Sequence, residues 1–173
     1  SERASEFSGE EGANLLVQKL KKYVTPSIED KTLAIDVGSC VGDYIENILD
    51  ICGTSRQRAT NQRVVSLSGQ SLLANLPILC FEPNPVNVKE WKKNINISNV
   101  KLYECCLSDR NGKAKLYSPA TESGSSNPTG NACAGLHGCG TEICDTETYR
   151  LDYIVDKDFN GYAIKFIKID TEG

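Results

Sequence analysis

The pattern of apolar and polar positions along the chain predicts strands and helices in alternation. Apolar runs at residues 33–37, 78–81 and 163–169 have the length of buried strands. Apolar residues with helical spacing follow the first two runs, at 44–52 and 88–95. Because strand, helix and strand recur in this order, the sequence predicts an α/β domain with a mainly parallel sheet covered by helices.

The middle of the chain predicts a third strand and a long loop. Residues 100–107 are expected to form the strand, and the Arg-Asn-Gly-Lys sequence at 110–113 predicts a hairpin turn into 114–117. Residues 118–147 are rich in Ser, Gly, Thr, Asn and Cys, which is typical of a long loop rather than of a packed element. The Asn-Gly pair at 160–161 predicts a turn before the last strand.

Two segments are predicted, a helical lead-in at residues 1–32 and one domain at residues 33–173. The lead-in is amphipathic, with five apolar residues at helical spacing: Ala13, Leu16, Val17, Leu20 and Val24. A chain of 173 residues can bury one core and is too short for two full domains. We therefore expect a single core, built from the strands and helices of the second segment.

Charge and hydropathy exclude some classes of function. The chain has 19 basic and 23 acidic residues, a net charge of −4, and no extended basic stripe. A protein that binds nucleic acid or anionic membranes through charge alone is therefore disfavoured. No apolar run approaches the roughly 20 residues that a membrane-spanning helix needs. We expect neither a nucleic-acid partner nor a membrane span.

The chain contains eight cysteines, seven of which fall into two groups, with Cys106 beside a member of the first. Four lie in predicted strands or helices, where thiols usually act as small hydrophobic groups: Cys40, Cys52, Cys80 and Cys105. This use of cysteine predicts a reducing compartment, either the cytoplasm or an organellar lumen. Side chains alternate between the two faces of a strand, so at most one of the neighbours Cys105 and Cys106 is predicted in the core.

A second group of cysteines lies close to the only histidine of the chain. Cys133, His137, Cys139 and Cys144 fall within twelve residues of the predicted loop. Three thiolates and an imidazole suit tetrahedral zinc, but the spacing is not a standard zinc pattern. Zinc, a disulfide and unpaired thiols all remain open, and the predicted functional site includes no metal.

The strongest candidate for chemistry is the Asp-Val-Gly-Ser-Cys-Val-Gly sequence at residues 36–42, which joins the first strand to a helix. Glycines at such a turn let the backbone approach a ligand, and the helix N-terminus favours bound negative charge. Glu82 ends the next strand, where a carboxylate can accept both hydroxyls of a ribose. Alternatively, the glycines form an ordinary turn and Glu82 is a solvated acid before a proline-containing turn.

A third acid strengthens the interpretation as a ligand site. Asp109 follows Ser108 at the end of the third predicted strand, in position to meet an adenine edge. Acids at the carboxyl ends of successive parallel strands converge on the crevice where open α/β sheets bind their ligands. The three strand ends together therefore predict one nucleotide-like site.

Several ordered motifs together resemble the FkbM-type methyltransferases, over roughly residues 33–173. The resemblance rests on five segments: IDVG at 35–38 with Gly42, FEPNP at 81–85, LSD at 107–109 with Gly112, YRLD at 149–152 and IKIDTEG at 167–173. It implies a Rossmann-like class I methyltransferase fold, with helices on both faces of the sheet. It also implies binding of S-adenosylmethionine and O-methylation of a small molecule or a glycan.

The resemblance implies a role for each strand end. Asp36, Gly38 and Gly42 would border the methionine part of the cofactor, and Glu82 would bind the ribose. The set of cofactor-binding residues is completed by four others: Ser108 and Asp109 at the adenine, with Ser39 and Asn84.

Catalysis is expected near the end of the last strand. By resemblance, Asp170 would lie near the methyl group or the acceptor. A hydroxyl acceptor needs a general base or a metal, and Asp170 or Glu172 could serve as the base. Asp170 could equally be a simple cap at the end of its strand.

The last segment of the sequence carries a further expectation. Domains of this family continue beyond the Asp-x-Glu-Gly motif with further strands and helices, whereas this sequence stops at Gly173. We expect a domain without its C-terminal strands, whose strand at 163–169 offers an open edge to a protein partner or to self-association. A catalytically silent methyltransferase-like subunit is thus the alternative function. An NAD-dependent dehydrogenase is a weaker third possibility, because the turn at 36–42 lacks a full G-x-G-x-x-G.

Overall fold

The computed structural model describes residues 31–51, 76–117 and 142–171, which contain three helices and seven strands. The helices are α1 (Ile45–Ile51), α2 (Pro85–Asn94) and α3 (Leu151–Asp158). The strands are β1 (Thr32–Val37), β2 (Ile78–Phe81), β3 (Val100–Tyr103), β4 (Cys106–Leu107), β5 (Gly112–Tyr117), β6 (Glu142–Tyr149) and β7 (Ala163–Ile169).

Four of the described strands form a parallel sheet in the order β3-β2-β1-β7. The last residue of β1, Val37, pairs with Phe81 at the end of β2 and with Ile169 at the end of β7. Three adjacent strands therefore end at one edge of the sheet, which we call the carboxyl edge. The predicted mainly parallel, Rossmann-like α/β architecture is confirmed.

The core lies on both faces of this sheet. Ala34 of β1 packs with Ile48 of α1 and Trp91 of α2 on one face, whereas Leu33 packs with Ile154 of α3 on the other. Every residue of β1 and β2 is buried, as expected of strands that helices cover on both sides. The prediction of helices on both faces is confirmed.

The predicted third strand is interrupted, and its second half belongs to a different sheet. β3 ends at Tyr103, and β4 joins a three-stranded sheet in the order β4-β6-β5 within the described residues. The hairpin predicted at 110–113 is therefore wrong: Thr148 of β6 pairs with Cys106 on one side and with Gly112 on the other. A turn sequence indicates that the chain reverses direction locally. It does not show whether a distant strand lies between the two strands that the turn connects.

Two further expectations for this region are wrong. Residues 142–147, predicted as part of a loop, belong to strand β6, where Thr146 and Thr148 are buried. Cys105 and Cys106 are both buried, at 3% and 9% exposure, although at most one was expected in the core. Cys105 lies in the bend between β3 and β4, so the alternation of faces along a single strand does not apply to this pair.

Some sequence predictions lie outside the described residues. They include the lead-in helix, residues 118–141 of the predicted loop, and five individual residues: Cys52, Cys133, His137, Cys139 and Glu172. In the described ranges, no helix combines the length and the apolar character needed to cross a membrane. The turn predicted at 160–161 is confirmed, with Gly161 at φ +81°.

Candidate cofactor site

The turn between β1 and α1 forms the centre of the site. Its path needs three residues with positive φ: Gly38 at +75°, Cys40 at +51° and Gly42 at +89°. The amides of Gly38 and Ser39 both donate to the carbonyl oxygen of Phe81, at 3.0 Å each. The end of β2 therefore holds the start of the turn through backbone hydrogen bonds.

The two glycines of the turn are required by contacts within the protein itself. A Cβ atom on Gly38 would lie 1.9 Å from the carbonyl oxygen of Asp170, just after β7. A Cβ atom on Gly42 would lie 2.7 Å from Cγ1 of Ile95, at the end of α2. The backbone of the turn therefore lies in close contact with the residue that follows β7 and with the end of α2.

Glu82 lies directly beside this turn. Its Oε2 accepts the amide of Cys40 at 2.8 Å, and its Oε1 accepts the amide of Asn84 at 2.9 Å and Nδ2 of Asn87 at 3.3 Å. Burial raises the pKa of the Glu82 carboxyl, and these hydrogen bonds act in the opposite direction. Glu82 is 5% exposed, so the alternative of a solvated acid is wrong.

Ser39 and Asn84 have structural partners in the site. The hydroxyl oxygen of Ser39 accepts the indole Nε1 of Trp91 at 3.0 Å, which ties the turn to α2. Asn84 is fully buried and caps α2, since its Oδ1 accepts the amide of Val86 at 3.0 Å. Both predicted residues therefore lie at the carboxyl edge and fix the elements around it.

Asp36 forms an ion pair that sequence reasoning did not assign. Its carboxylate is fully buried, and its Oδ1 lies 3.0 Å from Nζ of Lys168, the residue paired with it on β7. Neither oxygen of Asp36 accepts a hydrogen bond of normal geometry from a described residue, so the contact is an ion pair. A lysine two residues before Asp170, inside an apolar strand, was the available signal for Lys168.

Lys168 also contacts the turn and the predicted catalytic acid. Its Nζ donates to the carbonyl oxygen of Gly38 at 2.8 Å and lies 3.9 Å from Oδ2 of Asp170. The ring of Tyr44 lies on the same ammonium group, at 5.5 Å. The Asp170 side chain is 82% exposed, while its amide donates to the carbonyl oxygen of Val37 at 3.0 Å. Asp170 thus combines a fixed backbone with an accessible carboxylate.

Ser108 and Asp109 lie beside a different depression. This cavity of about 580 Å³ is lined by these two residues together with Arg150, Leu151, Asp152, Val155, Asp156 and Ile164. Gly38 and Glu82 do not line it. The strand that was expected to bring Ser108 and Asp109 to the carboxyl edge breaks after Tyr103. Their role at the adenine stays a prediction.

The structure therefore brings most predicted site residues together. Those at the carboxyl edge are Asp36, Gly38, Ser39, Gly42, Glu82, Asn84 and Asp170. Within the described part of the chain, no cluster of three or more His, Cys, Asp or Glu side chains could hold a metal ion. Cys144, the described member of the cysteine group, is a half-buried free thiol.

Comparison with known proteins gives one match. The family model for the methyltransferase FkbM domain matches residues 36–173, which include all strands after β1 and the whole carboxyl edge from Asp36 onward. Searches of curated proteins and of solved structures give no match. The matched region spans well over half of the chain and begins at the buried acid of the site. The chain belongs to the FkbM methyltransferase family.

Proposed function

We propose that this methyltransferase uses S-adenosylmethionine and methylates a hydroxyl group of a small molecule or a glycan. The observation that carries the proposal is the convergence of Asp36, Gly38, Glu82 and Asp170 at the carboxyl edge of the parallel sheet. Open α/β sheets bind their ligands at this edge. Family membership supports a methyl donor, and the acids at the edge suit a positively charged one.

The residues present fit this cofactor. S-adenosylmethionine combines an amino acid, a ribose and a sulfonium, and it supplies a methyl group on a good leaving group. Asp36 and Gly38 would hold the amino-acid part, and Glu82 the ribose. The buried Asp36 carboxylate has no hydrogen bond from a described residue. Glu82 accepts three hydrogen bonds, while a carboxylate offers about four lone-pair positions. Both acids therefore retain capacity for a donor.

Asp170 is the general base of the proposed reaction. A hydroxyl acceptor must lose its proton during methyl transfer, and a carboxylate within hydrogen-bond reach can accept it. The Asp170 side chain is exposed while its backbone is fixed against Gly38 and Val37. It can therefore meet an acceptor without rearrangement of the turn. Positioning of donor and acceptor provides much of the remaining acceleration.

Calorimetry tests the cofactor assignment. Wild-type protein should bind S-adenosylmethionine or S-adenosylhomocysteine, and Glu82→Ala should weaken binding by about 1 to 3 kcal/mol. Glu147→Ala removes an exposed acid on β6 and serves as the matched control. The unfolding midpoint is measured in parallel, because Glu82→Ala also removes the acceptor of the Cys40 amide. Binding of NAD without binding of either methyl-cofactor form would reject the assignment.

A separate measurement tests Asp170. Asp170→Asn should lower the rate of methyl transfer to a panel of hydroxyl acceptors by about 100-fold or more and leave cofactor affinity unchanged. Unchanged transfer by this variant would leave Asp170 as a strand-end cap. Glu172→Gln tests the other predicted base in the same assay.

One observation favours the alternative, a silent binding subunit. Three isoleucines on one face of β7 are exposed: Ile164 at 40%, Ile167 at 42% and Ile169 at 69%. An apolar strand face of this kind favours association with another chain. Under this alternative, the protein self-associates through β7 and transfers no methyl group. Sedimentation as a monomer together with turnover of S-adenosylmethionine would exclude it.

We also infer a reducing compartment for the protein. Cys80, Cys105 and Cys106 are buried free thiols that pack as small hydrophobic groups. Thiol titration of protein isolated from its native compartment, without added reductant, should find these three thiols unoxidised. An intermolecular or intramolecular disulfide at any of them would contradict the inference.

A further inference from the structure

We propose that Lys168 is a positioning residue, which sets the turn at Gly38 for the amino-acid part of S-adenosylmethionine. The inference rests on the proposed function, because it assigns a part of that cofactor to the turn. Lys168 does not need to contact the cofactor. It acts through Gly38 and Asp36, whose oxygens are the nearest to its ammonium group.

Lys168 holds the turn at Gly38 in addition to the backbone hydrogen bonds from neighbouring strands. On the β2 side, two backbone hydrogen bonds hold the amides of Gly38 and Ser39 to Phe81. On the β7 side, the amide of Asp170 donates to the carbonyl oxygen of Val37, one residue before the turn. The carbonyl group of Gly38 is held by a side chain, through the 2.8 Å hydrogen bond from Nζ of Lys168. Lys168 therefore fixes the peptide that follows Gly38 relative to β7.

Charge gives Lys168 a second, separable effect. Asp36 is fully buried, and its Oδ1 lies 3.0 Å from Nζ of Lys168. Removing the lysine alone would leave a buried carboxylate without this counter-charge, which destabilises a fold regardless of any ligand. A variant in the Asp36→Asn background avoids this penalty, since the remaining side chain is neutral. The hydrogen bond to Gly38 can then be examined by itself.

Two ligands distinguish positioning from general loss of stability. S-adenosylhomocysteine contains the amino-acid part, whereas 5′-methylthioadenosine has the same adenine, ribose and sulfur without it. A variant whose turn is misplaced should lose affinity for the first ligand and keep affinity for the second. A variant that is only less stable should lose affinity for both.

The experiment is calorimetry with both ligands on four proteins: wild type, Asp36→Asn, Asp36→Asn/Lys168→Met and Lys165→Met. Compared with Asp36→Asn, the double variant should bind S-adenosylhomocysteine about tenfold more weakly, as expected for loss of one charged hydrogen bond. Its affinity for 5′-methylthioadenosine should change less than twofold. Lys165→Met, which removes an exposed lysine from the same strand, should bind both ligands like wild type.

The possible outcomes separate this inference from the proposed function. Equal weakening of both ligands in the double variant, or no weakening of either, overturns the positioning role and leaves the cofactor assignment intact. In the second case Lys168 serves only as the counter-charge of Asp36. If wild-type protein binds neither ligand, the proposed function fails, and the role of Lys168 fails with it.

Discussion

The two central strands of the parallel sheet, β1 and β2, are buried throughout, whereas the strands of the three-stranded sheet bury only a few of their residues. All six residues of β1 are buried, whereas the six-residue β5 buries only Leu116. Of the eight residues of β6, only Thr146 and Thr148 are buried. Helices cover β1 on both faces, and Gly38, which directly follows β1, lies close to the backbone of Asp170.

This difference should govern how each region responds to substitution. At the carboxyl edge, a Cβ atom added to Gly38 or Gly42 would overlap neighbouring protein atoms. In the three-stranded sheet, most side chains are partly or fully exposed, and we expect their exchange to cost little. Matched substitutions in the two regions test this contrast.

Gly38→Ala should have the largest effect. The new Cβ atom would lie 1.9 Å from the carbonyl oxygen of Asp170, and the residue must keep φ at +75°. Overpacking and a strained left-handed conformation together should lower the free energy of unfolding by at least about 3 kcal/mol. Urea denaturation followed by tryptophan fluorescence measures the change, because Trp91 packs beside the same turn.

Two other glycines are matched controls for Gly38. Gly161 has φ +81° but no atom within 4 Å of the added Cβ, so Gly161→Ala should cost only about 1 to 2 kcal/mol. Gly112 on β5 has an atom no closer than 3.8 Å, so Gly112→Ala should change stability by less than about 0.5 kcal/mol. A loss at Gly38 no greater than that at Gly161 would show that the end of β7 moves freely.

The second prediction concerns the buried thiols at the junction of the two sheets. Burial raises the pKa of Cys105 to about 12 and that of Cys106 to about 11, from the ordinary thiol value of 9.0. The thiolate is the reactive form, so at pH 8 iodoacetamide should label Cys106 about 100-fold more slowly in native protein than in urea. Peptide mass spectrometry measures both rates.

The same pKa shift has a consequence for stability. The unfolded thiols release their protons at lower pH than the folded ones, so the free energy of unfolding should fall as the pH rises from about 9 towards 11. Below pH 9 this contribution is fully present. Labelling of Cys106 at the same rate in native and unfolded protein would mean that β4 opens readily and that the second sheet is only loosely attached.

The contrast between the two sheets also explains how far the sequence was predictive. β1, β2 and β7 were predicted within one residue, because each is an apolar run of strand length. β4 has two residues, and its partner β6 begins 35 residues after it ends. Pairing over that distance leaves no local pattern in the sequence. The hairpin and the single long strand were wrong for this reason.

The residues of the candidate site were likewise predictable only where a local sequence pattern marks them. Asp36, Gly38 and Glu82 were found because they end predicted strands, and ligand sites of open sheets lie at strand ends. No role was assigned to Lys168, because its contact with Asp36 depends on the register between β1 and β7. The protein contacts of Gly38 likewise depend on how closely the end of β7 approaches the turn. Register and approach are set by packing of the whole sheet.

The third prediction tests the link between the turn and α2. Ser39→Ala and Trp91→Phe each remove one partner of the 3.0 Å hydrogen bond, and both residues are at least 95% buried. A double-mutant cycle should give a coupling energy of about 1 kcal/mol in the free energy of unfolding. A coupling energy near zero would show that Trp91 contributes through its packing alone.

The fourth prediction concerns an ion pair on the exposed side of the second sheet, and the effect should be the smallest. Nζ of Lys115 lies 2.8 Å and 2.7 Å from the two carboxylate oxygens of Glu142, a geometry at least as close as that of Lys168 with Asp36. Glu142 raises the pKa of Lys115, yet both side chains are about half exposed, and solvent screens their attraction.

We therefore expect Lys115→Ala to leave the urea midpoint unchanged within error, at low salt and at high salt. Lys168→Met, by contrast, should cost about 3 to 5 kcal/mol, because it strips a fully buried carboxylate of its counter-charge. Each substitution removes an ion pair at a similar distance, so the main difference between the two is burial, although Lys168→Met also removes the hydrogen bond to Gly38. A clear loss of stability in Lys115→Ala, abolished by salt, would show that surface charge helps to hold the second sheet together. The three-stranded sheet would then depend on an ion pair for its stability, as the carboxyl edge does, although its strands are more exposed.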